Sequence, residues 1–156
     1  MPECPNGGRA YAVAVCVFCS IAAHRTAAEV VLEDDDTIAF LDHRPLFAGH
    51  CLLIPRAHFA TLGELPRDLL DALWRNAQVL ASCVERAMDA HGTFVAVNNK
   101  VSQSVPHFHI HVVPRRRKDG LRGFFWPRHP YLDDAEMAEA GERIRRALGR
   151  SAPIEP

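Results

Sequence analysis

Three histidines in strict alternation, His107, His109 and His111, stand in the run His107-Phe-His-Ile-His-Val-Val-Pro114. Along an extended strand successive side chains point to opposite faces. The three imidazoles therefore share one face, about 6.6 Å apart, while Phe108, Ile110 and Val112 share the other. Imidazoles buried on an apolar strand lose hydration unless each finds a partner. Two chemistries use such a row: ligation of a metal, or contact with a phosphate combined with nucleophilic attack by a neutral ring. A second cluster is Cys16-Val-Phe-Cys19. A CxxC redox pair opens a helix after a strand in a thioredoxin order, which the elements that follow here do not have. What remains is half of a four-ligand zinc site, or two small thiols in an apolar segment.

The elements that must position these groups follow from hydrophobic patterning. Val30–Glu33 and Thr37–Leu41 are apolar runs split by an acidic turn, the pattern of a hairpin. Pro45 and Gly49 punctuate the next connection, and His50–Ile54 is a third expected strand, ending at Pro55. Pro66 occupies an expected first helical position. Leu69, Leu73, Leu80, Val84 and Ala87 then fall on one helical face, with Gly92 as the stop. Thr93–Val97 and Val105–Val113 are two further expected strands around an Asn98–Ser104 loop. Asp133 or Asp134 caps a final helix through Leu148, with Gly149 after it. Strands, one long helix, more strands and a terminal helix predict an α+β fold with a largely antiparallel sheet.

Composition narrows the function classes. The chain has 156 residues, Lys+Arg 18 against Asp+Glu 19, nine histidines and five cysteines. One domain is the expectation at this length, and the balanced charge speaks against general nucleic-acid binding. The basic run Arg115–Lys118 reads as the solvated end of a hydrophobic strand. An odd number of cysteines in a chain able to bury its own core fits a reducing, cytoplasmic compartment. Ala10–Ala23 is apolar and follows Arg9, like the core of a signal peptide. It is too short to span a membrane, Glu3 weakens its basic flank, and cleavage near Ala23 would discard Cys16 and Cys19.

The stretch Gln103-Ser-Val-Pro-His-Phe-His-Ile-His-Val-Val-Pro114 resembles the signature of the histidine-triad (HIT) family of nucleotide hydrolases and transferases. Asp36–Asp42, Gly49–His58 and Val97-Asn98 are similar to its other blocks in the same order, so the likeness spans about Cys16 to Pro114. The resemblance implies a single domain over residues 1–156, with a core at about 16–114 and a C-terminal extension at 115–156. Its expected fold is a five-stranded antiparallel sheet with one long helix and a C-terminal helix, forming a homodimer. It implies that His109 attacks the α-phosphorus of a purine nucleotide derivative and forms a nucleotidyl-histidine, with no catalytic cofactor. The substrate would be a phosphoramidate, a mixed anhydride or a dinucleoside polyphosphate.

On the same resemblance His111 lies beside the phosphate or leaving group, and Ser104, Asn98 and Gln103 line the phosphate loop. Asp42 holds the ribose; Phe18, Phe40 and Leu41 surround the base or simply pack in the core. A branch of the family has a zinc site like the set Cys16, Cys19, His58 and His107, which implies one structural zinc per chain. The loop Asn98–Gln103 is shorter than in many relatives and has no glycine before Gln103. Val112 stands where uridylyltransferases of the superfamily carry glutamine. The C-terminal region, with Arg115–Lys118 and Gly123–Pro127, tunes specificity in relatives, and Trp126 is a candidate to stack a base. His24, His91 and His129 read as surface or cap residues; His43 is a neighbour of the ribose through Asp42, and His50 flanks a family block without an assigned role. A nucleotide-binding regulatory protein with incidental hydrolysis would carry nearly the same residues.

Overall fold

The acidic turn Asp34-Asp35-Asp36 closes the first hairpin through one carboxylate. Asp34 Oδ1 accepts hydrogen bonds from the backbone N–H of Asp36 (3.0 Å) and Thr37 (2.7 Å) and from Thr37 Oγ1 (3.1 Å). The structure, a computed structural model, describes residues 16–121 and 130–148. It forms two compact units, Met1–Asp119 and Gly120–Pro156.

In the first unit a short helix α1 (Val17–Ala22) leads into strands β1 (Val30–Glu33), β2 (Thr37–Leu41) and β3 (Cys51–Pro55). A single 3₁₀ turn (Leu62–Glu64), helix α2 (Arg67–Ala87) and strands β4 (Gly92–Val97) and β5 (Ile110–Arg115) follow. The five strands make one sheet in the order β1-β2-β3-β5-β4, antiparallel at every junction. Residues alternating along these strands divide the core in two. Ala39, Cys51, Leu53, Phe108, Ile110 and Val112 meet Leu69, Leu73, Ala77, Leu80 and Val84 of α2. Ile38, Phe40, Leu52 and Ile54 meet Phe18, Ile21 and Ala22 of α1 on the other face. Leu73 is wholly buried, so truncating it to alanine costs about 2–5 kcal/mol.

Several boundaries differ from expectation, each for a local reason. Pro66 is the N-cap of α2, not its first helical residue. The helix stops at Ala87, five residues before Gly92, because Asp89 takes up the left-handed turn (φ 49°), and Gly92 opens β4 instead. Ala87 is exposed, and the apolar stripe runs from Val84 to Met88. The short helix α1 carries no polar start signal in the sequence. The expected strand over Val105–Val113 begins only at Ile110. Pro106 has no N–H for a ladder, and Phe108 N–H goes to the carbonyl of Phe59 (2.6 Å). The division of faces nonetheless holds, with Phe108, Ile110 and Val112 under α2. Pro114 lies in a strand with neighbours on both sides, but pairing with β3 ends at Val112, so its missing N–H breaks no bond there.

In the second unit helix α3 (Asp134–Leu148) starts as expected. Asp133 Oδ1 accepts Glu136 N–H (2.8 Å), and Glu136 Oε2 reaches back to Leu132 N–H (2.6 Å), a reciprocal cap. Gly123–Pro127 with Trp126, His129 and Gly149 lie outside the described residues, as do Glu3, Cys4, Arg9 and the first part of Ala10–Ala23. Among the described residues no helix is long and apolar enough to cross a membrane.

Candidate functional site

Two groups of chemistry-bearing side chains meet along the segment 107–111. In the first, His109 is buried, and its Nδ1 lies 2.7 Å from the carbonyl oxygen of His107. A carbonyl only accepts, so Nδ1 carries the hydrogen and the Nε2 lone pair is left for chemistry. The ring sits edge-on to Phe18, with centroids 5.3 Å apart, and 4.9 Å from the ring of His111. His111 Nδ1 lies 3.0 Å from His50 Nε2, and His50 Nδ1 lies 3.2 Å from the backbone N–H of Leu46. The Leu46 amide only donates, so His50 Nδ1 accepts and its Nε2–H donates to His111. The remaining hydrogen of neutral His111 then sits on Nε2.

Electrostatics favours the neutral forms. Burial, reinforced by the neighbouring imidazoles of His109 and His50, holds His111 down to about 4. Burial also lowers His50, against the pull of the Asp42 carboxylate. Asp42 Oδ2 is 3.6 Å from His50 Nδ1 and its Oδ1 accepts Arg44 N–H at 2.9 Å. The role of His50 was not visible in the sequence. A single imidazole opening an apolar run looks like ordinary packing, yet it is 3% exposed and bonded at both nitrogens. His43 is mostly exposed, 3.7 Å from Asp42 Oδ1.

The other expected contacts are distributed around these rings. Phe18 and Phe40 are buried against each other (5.5 Å, edge-on), while Leu41 is at the surface. Asn98 directly follows β4 and is half-buried; Ser104 is exposed two residues before Pro106. Gln103 spans the loop base, accepting Lys100 N–H (2.8 Å) and donating to the Ala60 carbonyl (2.6 Å). The missing glycine has a consequence here. Lys100 (φ 66°) and Ser102 (φ 59°) take left-handed conformations, which cost of order 1 kcal/mol or more each.

The second group is Cys16, Cys19, His58 and His107, each offering one ligand atom, all within 4.8 Å of one another. His107 Nδ1 is 3.5 Å from both sulfurs, and His58 Nδ1 is 3.3 Å from Cys19 Sγ. Zinc–sulfur bonds of ~2.3 Å and zinc–nitrogen bonds of ~2.0–2.1 Å at tetrahedral angles separate S and N ligands by about 3.6 Å. The residues therefore fit zinc. The His107 ring is also held from behind: its Nε2–H donates to the Pro55 carbonyl (2.9 Å), leaving Nδ1 as the lone pair turned toward the sulfurs. Burial holds its ring neutral, down to about 4. The other described histidines lie elsewhere: His24 pairs with Glu33 (3.1 Å) and His91 Nδ1 accepts Arg117 N–H (3.3 Å).

Comparison with known proteins agrees with this geometry. A family model described as the HIT domain matches residues 24–118. The chain is 31% identical over 140 residues to adenylylsulfatase HINT3 of Arabidopsis thaliana, covering 85% of this chain and 69% of that protein. It is 35% identical over 111 residues to adenosine 5'-monophosphoramidase HNT1 of Saccharomyces cerevisiae, covering 69% and 68%. The crystal structure of a Zn-bound histidine triad family protein from Mycobacterium smegmatis superposes with a TM-score of 0.66 at 30% identity, over 85% of this chain and 97% of that one. The alternating imidazoles, the five-stranded antiparallel sheet and these matches have one reading: the chain belongs to the histidine-triad, or HIT, family.

Proposed function

We propose that this protein is a hydrolase or transferase of purine nucleotide derivatives that works through a nucleotidyl-His109 intermediate. The observation that carries the reading is the tautomer of His109: its Nδ1–H donates to the His107 carbonyl, so in the neutral ring Nε2 is the nitrogen that carries the lone pair for attack. Nε2 attacks the α-phosphorus, a P–N bond forms and the bond to the leaving group breaks. His111 Nε2–H donates to the leaving atom, or to a phosphate oxygen as charge develops on it. Water or another acceptor then attacks phosphorus and releases His109. Asn98 and Ser104 supply further donors to the phosphate, Asp42 accepts from the ribose hydroxyls, and Phe18, Phe40 and Leu41 form the apolar side of the base pocket.

The relatives with named activities bracket the leaving group: sulfate in an adenylylsulfatase, an amine in a phosphoramidase. Both are adenylates joined to a small group. We assign zinc, one per chain, to Cys16, Cys19, His58 and His107, where it would tie α1 to the segment carrying the nucleophile. The working unit is a homodimer in the cytoplasm, with residues 1–156 acting as one functional domain.

The test is to mix the protein with adenosine 5'-phosphosulfate or adenosine 5'-phosphoramidate, quench at alkaline pH and map the adduct by mass. An adenylyl group on His109, absent in His109→Ala, is expected. Turnover that survives His109→Ala refutes the mechanism, and binding without turnover supports a regulatory nucleotide-binding role. Sedimentation tests the dimer, and metal analysis tests the zinc.

A further inference from the structure

His107 belongs to both groups at once. Its Nδ1 faces the two cysteine sulfurs at 3.5 Å, its Nε2–H is held by Pro55, and its own carbonyl fixes the nucleophile's tautomer at 2.7 Å. The segment it sits in lies before the first ladder residue of β5, so its position depends on these contacts. On the other side of the group the ligands reach solvent: Cys16 and Cys19 are partly accessible and His58 is exposed. Its four protein ligands close the coordination as in a structural zinc site, yet its thiols stay within reach of solvent while its buried member sits beside His109.

We propose that the Cys16–Cys19 pair is a site of reversible oxidation by peroxide-class oxidants, and that His107 transmits its state to His109. The proposal rests on the zinc assignment and deepens it. One thiolate attacks the peroxide: an S–O bond forms, the O–O bond breaks, and the departing hydroxide takes a proton to become water. The second thiolate then attacks that sulfur. The S–S bond forms, the S–O bond breaks, and a second hydroxide leaves as water after taking another proton. The two sulfurs supply two electrons and the peroxide accepts them; a zinc ion held there would lose two of its four ligands, because a disulfide is no longer a thiolate ligand. Both sulfurs already lie within 4.8 Å of each other, so closure needs a local shift. His107 then loses its two sulfur contacts together, and the carbonyl that aims His109 is left to the ring's bond to Pro55 and to the backbone bonds of His107 N–H to Val105 and Phe108 N–H to Phe59. Positioning errors of this kind slow the chemical step roughly tenfold to a hundredfold.

The experiment uses the full chain with Cys4→Ser and Cys83→Ser, loaded with zinc and titrated with hydrogen peroxide. Four signals are followed: zinc release to a chromogenic chelator, intact mass with peptide mapping, the rate of adenylyl-His109 formation, and the ¹⁵N signals of the His109 ring. The expected result is loss of two hydrogens on the Cys16–Cys19 peptide in step with zinc release. The adenylylation rate falls by roughly one to two orders of magnitude, KM changes less than kcat, and the His109 tautomer signal broadens or shifts. Dithiothreitol with zinc restores all four. A chain that keeps its zinc under peroxide overturns the proposal alone. A disulfide that forms while the His109 signals stay unchanged overturns the coupling. A chain that takes up no zinc at all overturns the zinc assignment and the proposal with it. Absence of any adenylyl adduct overturns the nucleotidyl reading, while the ring signals of His109 still test the coupling.

Discussion

Replacing His50 with leucine isolates the contribution of the buried imidazole that bonds His111 from behind. Leucine roughly preserves the apolar volume of a residue that is 3% exposed, but removes two hydrogen bonds, to Leu46 N–H at 3.2 Å and to His111 Nδ1 at 3.0 Å. Two buried groups lose partners, so the fold is expected to lose about 1–3 kcal/mol, a fall in Tm of a few degrees. The effect on chemistry is expected to be larger. Without the donated hydrogen His111 is free to carry its own on Nδ1, which turns the wrong nitrogen toward the leaving group. Wrong orientation of a ligating or catalytic imidazole costs roughly tenfold to a hundredfold. The assay is rapid-quench measurement of adenylyl-His109 formation beside a thermal melt. The rate should drop by that factor, KM should move less, and His50→Gln, whose amide both donates and accepts, should recover part of the loss. A His50→Leu rate within twofold of the parent would refute the tautomer argument.

Three further outcomes follow from the same geometry. Because His111 is held neutral at about 4 in the fold and takes up a proton near 6.5 when unfolded, its contribution to stability is full above 6.5 and is lost as pH falls toward 4; a urea midpoint unchanged between pH 7 and pH 5 would contradict this. Asp42→Asn should cut the preference for ribo- over 2'-deoxyadenylates by about an order of magnitude, read as the ratio of kcat/KM values, and an unchanged ratio removes Asp42 from the ribose. Gly49→Ala should cost about 1–2 kcal/mol in denaturant unfolding, because Gly49 has φ 89° and a Cβ there would stand 2.6 Å from Met88 Cγ. Met88→Ala in the same chain should relieve the clash but leave the backbone strain.

What was legible in the residues depended on how strongly local chemistry constrained the chain. The hairpin Val30–Leu41 was legible because an acidic cluster can only be a turn between two apolar runs, and Asp34 closes it with its own carboxylate. The face of α2 was legible because Leu69, Leu73, Leu80 and Val84 repeat at helical spacing. Its end was not, because Asp89 rather than a glycine takes the left-handed turn. The two His clusters were legible as residue types, but their tautomers depend on Pro55, Leu46 and the His107 backbone, partners remote in sequence or supplied by main chain. His50 was hidden for the same reason: its meaning lies in His111, 61 residues away.

The start of β5 at Ile110 has a consequence for how this chemistry can be moved or copied. His109 rides on main chain that the sheet does not register, anchored sideways by Phe59, Pro55 and the thiols of a distant segment. Grafting the alternating histidines onto another protein's strand would therefore transplant the rings without their aim. The portable unit is the triad together with the loop at residues 55–59 and the CxxC turn, three pieces of chain that must arrive as one.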